Sequence, residues 1–186
     1  MKNAYLMGTN IYLRPLELDD APTLKSWIND PDVYRNLLVS RPMNIQSEES
    51  FVERSMKSEH DLVLGIVVRQ SDRLIGTTGF HRIDFRSRHA GFGIMIGEKA
   101  EWDKGYGTEA TQLMVRHAFE TMNLNRVWLQ VYDFNPRAVH AYEKAGFRAE
   151  GVLRQDTFRD GRYWDSKLMA ILREEWTAAR KERDAG

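Results

Sequence analysis

Two glycines separated by one residue, Gly105 and Gly107, follow a lysine and precede a run with apolar residues at helical spacing. Residues of these types can bind an anion. Glycine lets the backbone turn tightly and leaves no Cβ between amide N–H groups and a ligand. The start of a helix presents unpaired N–H donors at the positive end of its dipole, which favours phosphate. Lys104 adds a positive charge at the same place. A tight turn that binds nothing has the same composition, since a lone Gly-x-Gly is a weak signal. A Walker-type loop ends in Gly-Lys-Ser/Thr, whereas Lys104 precedes both glycines. The dinucleotide fingerprint is matched literally by Gly105, Gly107 and Ala110, but it requires a strand that feeds straight into its first glycine. Here Gly97 to Lys104 intervene, and the downstream acidic marker is missing, so dinucleotide binding is a minor alternative.

The elements that must position this turn are read from periodicity. Ile11 to Leu16 alternates as a strand, and Asp19-Asp20 before Ala21-Pro22 opens a short helix to about Ile28. A looser stretch runs through Arg41-Pro42, and Ser47 with Glu48 and Glu49 opens a second helix that turns Phe51, Val52 and Met56 inward. Leu62 to Val68 and Leu74 to Ile83 form a hairpin about Gln70-Ser71-Asp72. Phe92 to Ile96 is a further strand after the polar loop Asp84 to His89. The helix behind the glycines carries Ala110, Leu113, Met114, His117 and Ala118 on one stripe. Arg126 to Val131 is a strand; Asn135-Pro136 then opens a helix closed at Gly146, a left-handed cap. Phe147 to Leu153 and Lys167 to Leu172 close the sheet, and a charged helix follows from Arg173. This order predicts an α/β (α+β) fold around one central sheet, with residues 1–186 as a single domain.

Composition excludes several classes. The chain has 186 residues and no cysteine, so thiolate catalysis, cysteine-based zinc sites and iron–sulfur ligation are ruled out. Lys plus Arg and Asp plus Glu each number 27, giving zero formal charge and no basic bias of the kind a nucleic-acid binder needs. No stretch is apolar for long enough to span a membrane and the N-terminus carries no signal-peptide pattern, so a cytoplasmic protein is expected. No pair of histidines has metal spacing with a carboxylate partner, and no metal is expected.

Thirty residues after Gly105 comes Asn135-Pro136-Arg137-Ala138, then Tyr142, then Gly146-Phe147. Together with Lys104-Gly105-Tyr106-Gly107-Thr108-Glu109-Ala110, this resembles the GNAT superfamily of acetyl-CoA-dependent N-acetyltransferases. More narrowly it resembles the branch that includes ribosomal-protein alanine and serine N-acetyltransferases and spermidine acetyltransferases. Ile11 to Leu16 with Asp19-Asp20, Leu74-Ile75-Gly76, and Gly151 to Arg154 with Asp160 to Tyr163 extend the resemblance over nearly the whole chain. It implies a mixed, mostly antiparallel, splayed sheet flanked by helices, with acetyl-CoA entering between the strands that end near Gly97 and Val131. Met95 and Ile96 would offer backbone hydrogen bonds to the pantetheine arm and thioester. Lys104, Gly105, Tyr106, Gly107 and Thr108 would cradle the pyrophosphate, and Asn135 would bond the cofactor. Tyr142 would be the general acid near the sulfur. Homodimers are common in the superfamily. The sequence departs from its relatives at Trp102, where arginine or glutamine is frequent, and at Gly91, where many carry a carboxylate.

Acetyl transfer to nitrogen needs a neutral amine, a stabilised oxyanion and a protonated leaving thiolate. An alkylamine of pKa ~10.4 is neutral about once in a thousand molecules at pH 7, a protein α-amine of pKa ~7.7–8.0 roughly a tenth of the time. With no strand carboxylate as base, the first expectation is a peptide or protein N-terminal α-amine, and the second a small amine or polyamine. His81, at a strand end, is the candidate base because imidazole exchanges protons near neutrality. The Ile96 N–H is the expected oxyanion donor. His117 and His140 are expected to be structural, and His60 and His89 solvated. Acceptor recognition is expected in Asn29 to Arg41 and Arg154 to Trp164, where the arginines and aspartates of the second stretch balance. Another class, a CoA-binding sensor without catalysis, has no need of an acid at Tyr142.

Overall fold

The computed structural model describes residues 3–37 and 39–184. Its sheet has eight strands: β1 (Leu6–Met7), β2 (Ile11–Pro15), β3 (Leu62–Val68), β4 (Arg73–Asp84), β5 (His89–Ile96), β6 (Arg126–Tyr132), β7 (Arg148–Arg159) and β8 (Arg162–Leu172). Their spatial order is β1-β2-β3-β4-β5-β6-β8-β7, and every pairing is antiparallel except β5 with β6. Parallel neighbours need a crossover connection, which here is α4 (Tyr106–Glu120). The other helices are α1 (Ala21–Ile28), α2 (Pro31–Tyr34), α3 (Ile45–Lys57), α5 (Pro136–Lys144) and α6 (Arg173–Asp184).

Helices cover both faces, so the core is divided. On one face Leu113, Met114 and Phe119 of α4 pack with Ile66, Phe80, Phe92 and Leu129 of the sheet. On the other, Leu24 and Trp27 of α1 and Val52 of α3 form a smaller cluster with Val63 and Met95 beside it. The stripe expected on α4, from Ala110 to Ala118, is buried as its helical spacing requires.

Local chemistry sets several boundaries differently from the expectation. Asn44, not Ser47, starts α3: its side chain accepts from the Ser47 amide at 2.9 Å and caps the helix a turn earlier. Val52 is fully buried, but Met56 is 61% exposed because it falls off the inward stripe. Asp20 makes no side-chain cap to α1; both its oxygens accept from Arg14 at 2.8 Å. Within the stretch read as loose, Pro31 sits in the first turn of α2 behind Asp30, whose side chain accepts from the Asp32 amide. β1 was also unanticipated, and His89 lies in β5 rather than in the preceding loop. The stretch Arg154 to Trp164 is no loop: β7 and β8 continue through it as a hairpin. Its turn residues Asp160 and Gly161 have φ of +52° and +78°, which an Asp-Gly pair adopts readily.

Candidate active site

β5 and β6 pair only from His89–Gly91 against Arg126–Trp128, and beyond that they part. At the fork stand three rings from different elements. Phe92 of β5 lies 6.2 Å from Tyr142 of α5 and 6.1 Å from Phe147 just before β7, measured between ring centroids. Past the fork, β5 is paired with β4 alone, so alternate residues turn their backbone groups to an open edge. The Gly97 amide donates to the Ile75 carbonyl, which fixes the phase. Gly97 and Met95 face β4, and Ile94 and Ile96 face the opening. The Ile96 carbonyl there accepts from Trp102 Nε1 at 2.8 Å, leaving the Ile96 N–H beside it on the same edge. Ile94 and Ile96 therefore supply the open edge, whereas Met95 contributes its side chain to the opposite face.

The opening is a cleft of about 470 Å³. One end is the start of α4. Gly105 is its N-cap with φ of +83°, a left-handed conformation that a side chain would strain. A Cβ on Gly105 would have nothing within 4 Å, and one on Gly107 would meet only Ile96 Cγ1 at 3.9 Å. The glycines thus keep the approach to the helix amides clear, and Gly105 to Thr108 all line the cleft. Lys104 does not line it; its ammonium pairs with Glu101 at 2.9 Å, so the turn relies on amides and dipole more than on that charge. Asn135 lines the cleft from the start of α5, with its carbonyl oxygen engaged in capping the Ala138 amide at 3.2 Å.

Tyr142 lies on the cleft wall and is 8% exposed. Burial pushes its phenol well above the usual tyrosine range, so it remains a proton donor throughout the working pH range. Its hydroxyl has no hydrogen bond to another described residue.

A second, larger cavity of about 1030 Å³ lies on the other face of the sheet, beneath α1 and α3. β4 and β5 floor it with Gly79, Gly93 and Met95, and a Cβ on Gly93 would project into open space. The two cavities share Gly93, Ile94 and Met95, so they meet through the free edge of β5. Leu37 also lines both; the segment that carries it is held by Arg159, which donates to the Tyr34 and Leu37 carbonyls at 3.0 and 2.8 Å.

His81 lines the larger cavity and not the cleft. It is opposite Gly91, which is opposite Trp128, so three strands present one row. The imidazole stands in the space left at Gly91, where any Cβ would overlap it, with its ring 5.6 Å edge-on from Trp128. Burial first, then Arg82, lowers its pKa, against a weaker opposing pull from Asp61. It is neutral at pH 7 and able to accept a proton. The absent strand carboxylate and the histidine are thus one feature, because a side chain at Gly91 would displace His81. The other histidines are placed otherwise. His117 is buried near Tyr5, His60 contacts the Ile83 carbonyl, His89 is half-buried, and exposed His140 sits at the cleft rim.

The sequence reading missed Arg137, Gln130 and Ile94 as cleft residues. Arg137 belongs to the Asn135-Pro136-Arg137 segment that opens α5; its guanidinium lies 4.2 Å over the Trp102 ring, which holds a cation at the mouth. Ile94 could be found only from the phase of the β4–β5 ladder.

A splayed sheet, a glycine-opened helix and a buried phenol beside the free strand edge define an acyltransferase of the acetyl-CoA type. Residues 10–148 match the acetyltransferase (GNAT) domain model, and the chain belongs to this family of N-acetyltransferases, which use acetyl-CoA. It is 28% identical to the uncharacterized N-acetyltransferase p20 of Bacillus licheniformis over 92% of this chain and 97% of that one. It is 30% identical to a spermidine N(1)-acetyltransferase of Vibrio cholerae, over 91% and 97% respectively. The crystal structure of spermidine N-acetyltransferase from Vibrio cholerae with CoA and spermine superposes with a TM-score of 0.85. That match has 26% identity and covers 91% of this chain and 99% of that one.

Proposed function

We propose that the protein transfers the acetyl group of acetyl-CoA to a primary amine on a small molecule, by direct attack of the amine on the thioester. The observation that carries this reading is the meeting of the two cavities at Gly93–Met95, which gives cosubstrate and acceptor separate approaches to one point. Acetyl-CoA fits the cleft by chemistry: amides at the start of α4 suit a pyrophosphate, and the free β5 edge suits an amide-bearing arm. It supplies an activated acetyl carbon. His81 takes the proton of the incoming ammonium, the Ile96 N–H stabilises the oxyanion, and Tyr142 donates its proton to the sulfur as the C–S bond breaks. The C–N bond forms as the C–S bond breaks; the second N–H proton, lost as the amide forms, restores the Tyr142 phenol, and the proton on His81 passes to solvent.

The protein N-terminus first expected as acceptor is less well supported than a small amine. Relatives 30% identical to this chain are named as spermidine N(1)-acetyltransferases, whose acceptor is a small amine. Thiol release from acetyl-CoA, measured against small amines, polyamines and peptides with free N-termini, tests the reading alongside calorimetry with CoA. Release with small amines is expected. Release with peptides alone would overturn the acceptor class, tight CoA binding without turnover would make the protein a sensor, and no CoA binding would overturn the whole reading.

A further inference from the structure

Glu48 lies in the first turns of α3, 5% exposed, and lines the larger cavity. Among the described residues, no hydrogen bond or ion pair reaches its carboxyl group; Arg54 and Lys57 line the same cavity without pairing with it. The neighbouring acid Asp61 differs, since it accepts from Ser58 and from the Arg82 amide. Burying an unpaired carboxylate is costly, and the dipole near the start of a helix offsets only a small part of that cost. A packed apolar side chain would be better for stability there. Leu24, Ile28, Val63 and Phe51 make part of the lining apolar, and of the carboxylates that line the cavity Glu53 is exposed and Asp61 is already hydrogen-bonded, so Glu48 is the buried, unpaired one.

We propose that Glu48 is a specificity-determining residue that binds a second, charged amine of the acceptor, so that the acceptor class is a diamine with an apolar spacer. The proposal rests on the small-amine reading above. One amine, neutral, reaches the β5 edge, while the other, as an ammonium, pairs with Glu48. The spacer lies along the apolar walls. The cavity of about 1030 Å³ exceeds what a single short amine fills. A charge-assisted pair with a buried carboxylate is worth more than the same pair in water, which lets Glu48 discriminate.

The test compares wild type and Glu48→Gln, both saturated with CoA, by calorimetry with α,ω-diamines and n-alkylamines matched in length. Wild type is expected to prefer one diamine length over the matching monoamine. Glu48→Gln is expected to lose about tenfold or more in diamine affinity and little for the monoamine, as for removal of a charged hydrogen bond. Equal losses for both ligands, or no diamine preference in wild type, would overturn the proposal. Turnover is measured separately: selective diamine binding without thiol release would count against the transfer reaction and leave Glu48 as a diamine site.

Discussion

Tyr142 and His81 approach the same strand from opposite faces, and their environments push both toward the protonation states that the proposed transfer requires of them. Tyr142 stays a donor because burial resists its ionisation. Tyr142→Phe is expected to lower kcat by about 10²–10⁴-fold, the usual contribution of a positioned acid, with CoA affinity by calorimetry little changed. His81 stays neutral because burial and Arg82 outweigh Asp61. Its folded pKa is below the ordinary ~6.5, so the unfolded chain binds the extra proton first; stability from this group is present above about 6.5 and lost as pH falls through the depressed value. The same titration should appear as an acid limb in kcat/KM. In His81→Gln that limb is expected to vanish together with most of the rate; a limb that persists would assign the base elsewhere.

At the scale of elements, the larger cavity, proposed above as the acceptor site, exists because β4 and β5 omit side chains on one face. Gly93→Leu would fill open space at the junction. Its expected effect is a large rise in acceptor KM with CoA binding retained, read by steady-state kinetics and calorimetry. The same strands explain what a linear reading can see. Gly105-x-Gly107 and Asn135-Pro136 are local devices, a turn and a cap, and they were legible with their helices. Tyr142 was legible through the family's spacing. The cavity was not, because Gly79, Gly91 and Gly93 share a face only once β4 and β5 are in register. Glu48 read as a polar residue opening α3; its burial depends on α1 and the sheet closing over it. The β7–β8 hairpin had a visible Asp-Gly signal, obscured by the charged residues around it.

Across the whole molecule, site and stability pull against each other at Glu48. Its pKa is raised by burial, so the folded state holds the proton more tightly than the unfolded one. Stability therefore falls as pH rises from the ordinary glutamate value of about 4.3 through the raised one. Glu48→Gln escapes this loss, and thermal denaturation across pH should show a Tm advantage for the variant that grows toward neutrality. An equal Tm at all pH values would mean that the carboxylate carries no such cost.

The parting of β5 from β6 also has a mechanical consequence. The sheet is two leaves, β1 to β5 and β6 to β8, joined by a short parallel hinge and the helices that span it. A ligand arm laid along the free edge stands in for a missing strand and ties the leaves together. Amide hydrogen exchange should register this as slowed exchange at Ile94 and Ile96 when CoA is added, with Met95, already in the β4 ladder, little altered. On the proposed reading the cosubstrate is a piece of the protein's own architecture, lent for one turnover and withdrawn when the thiol departs.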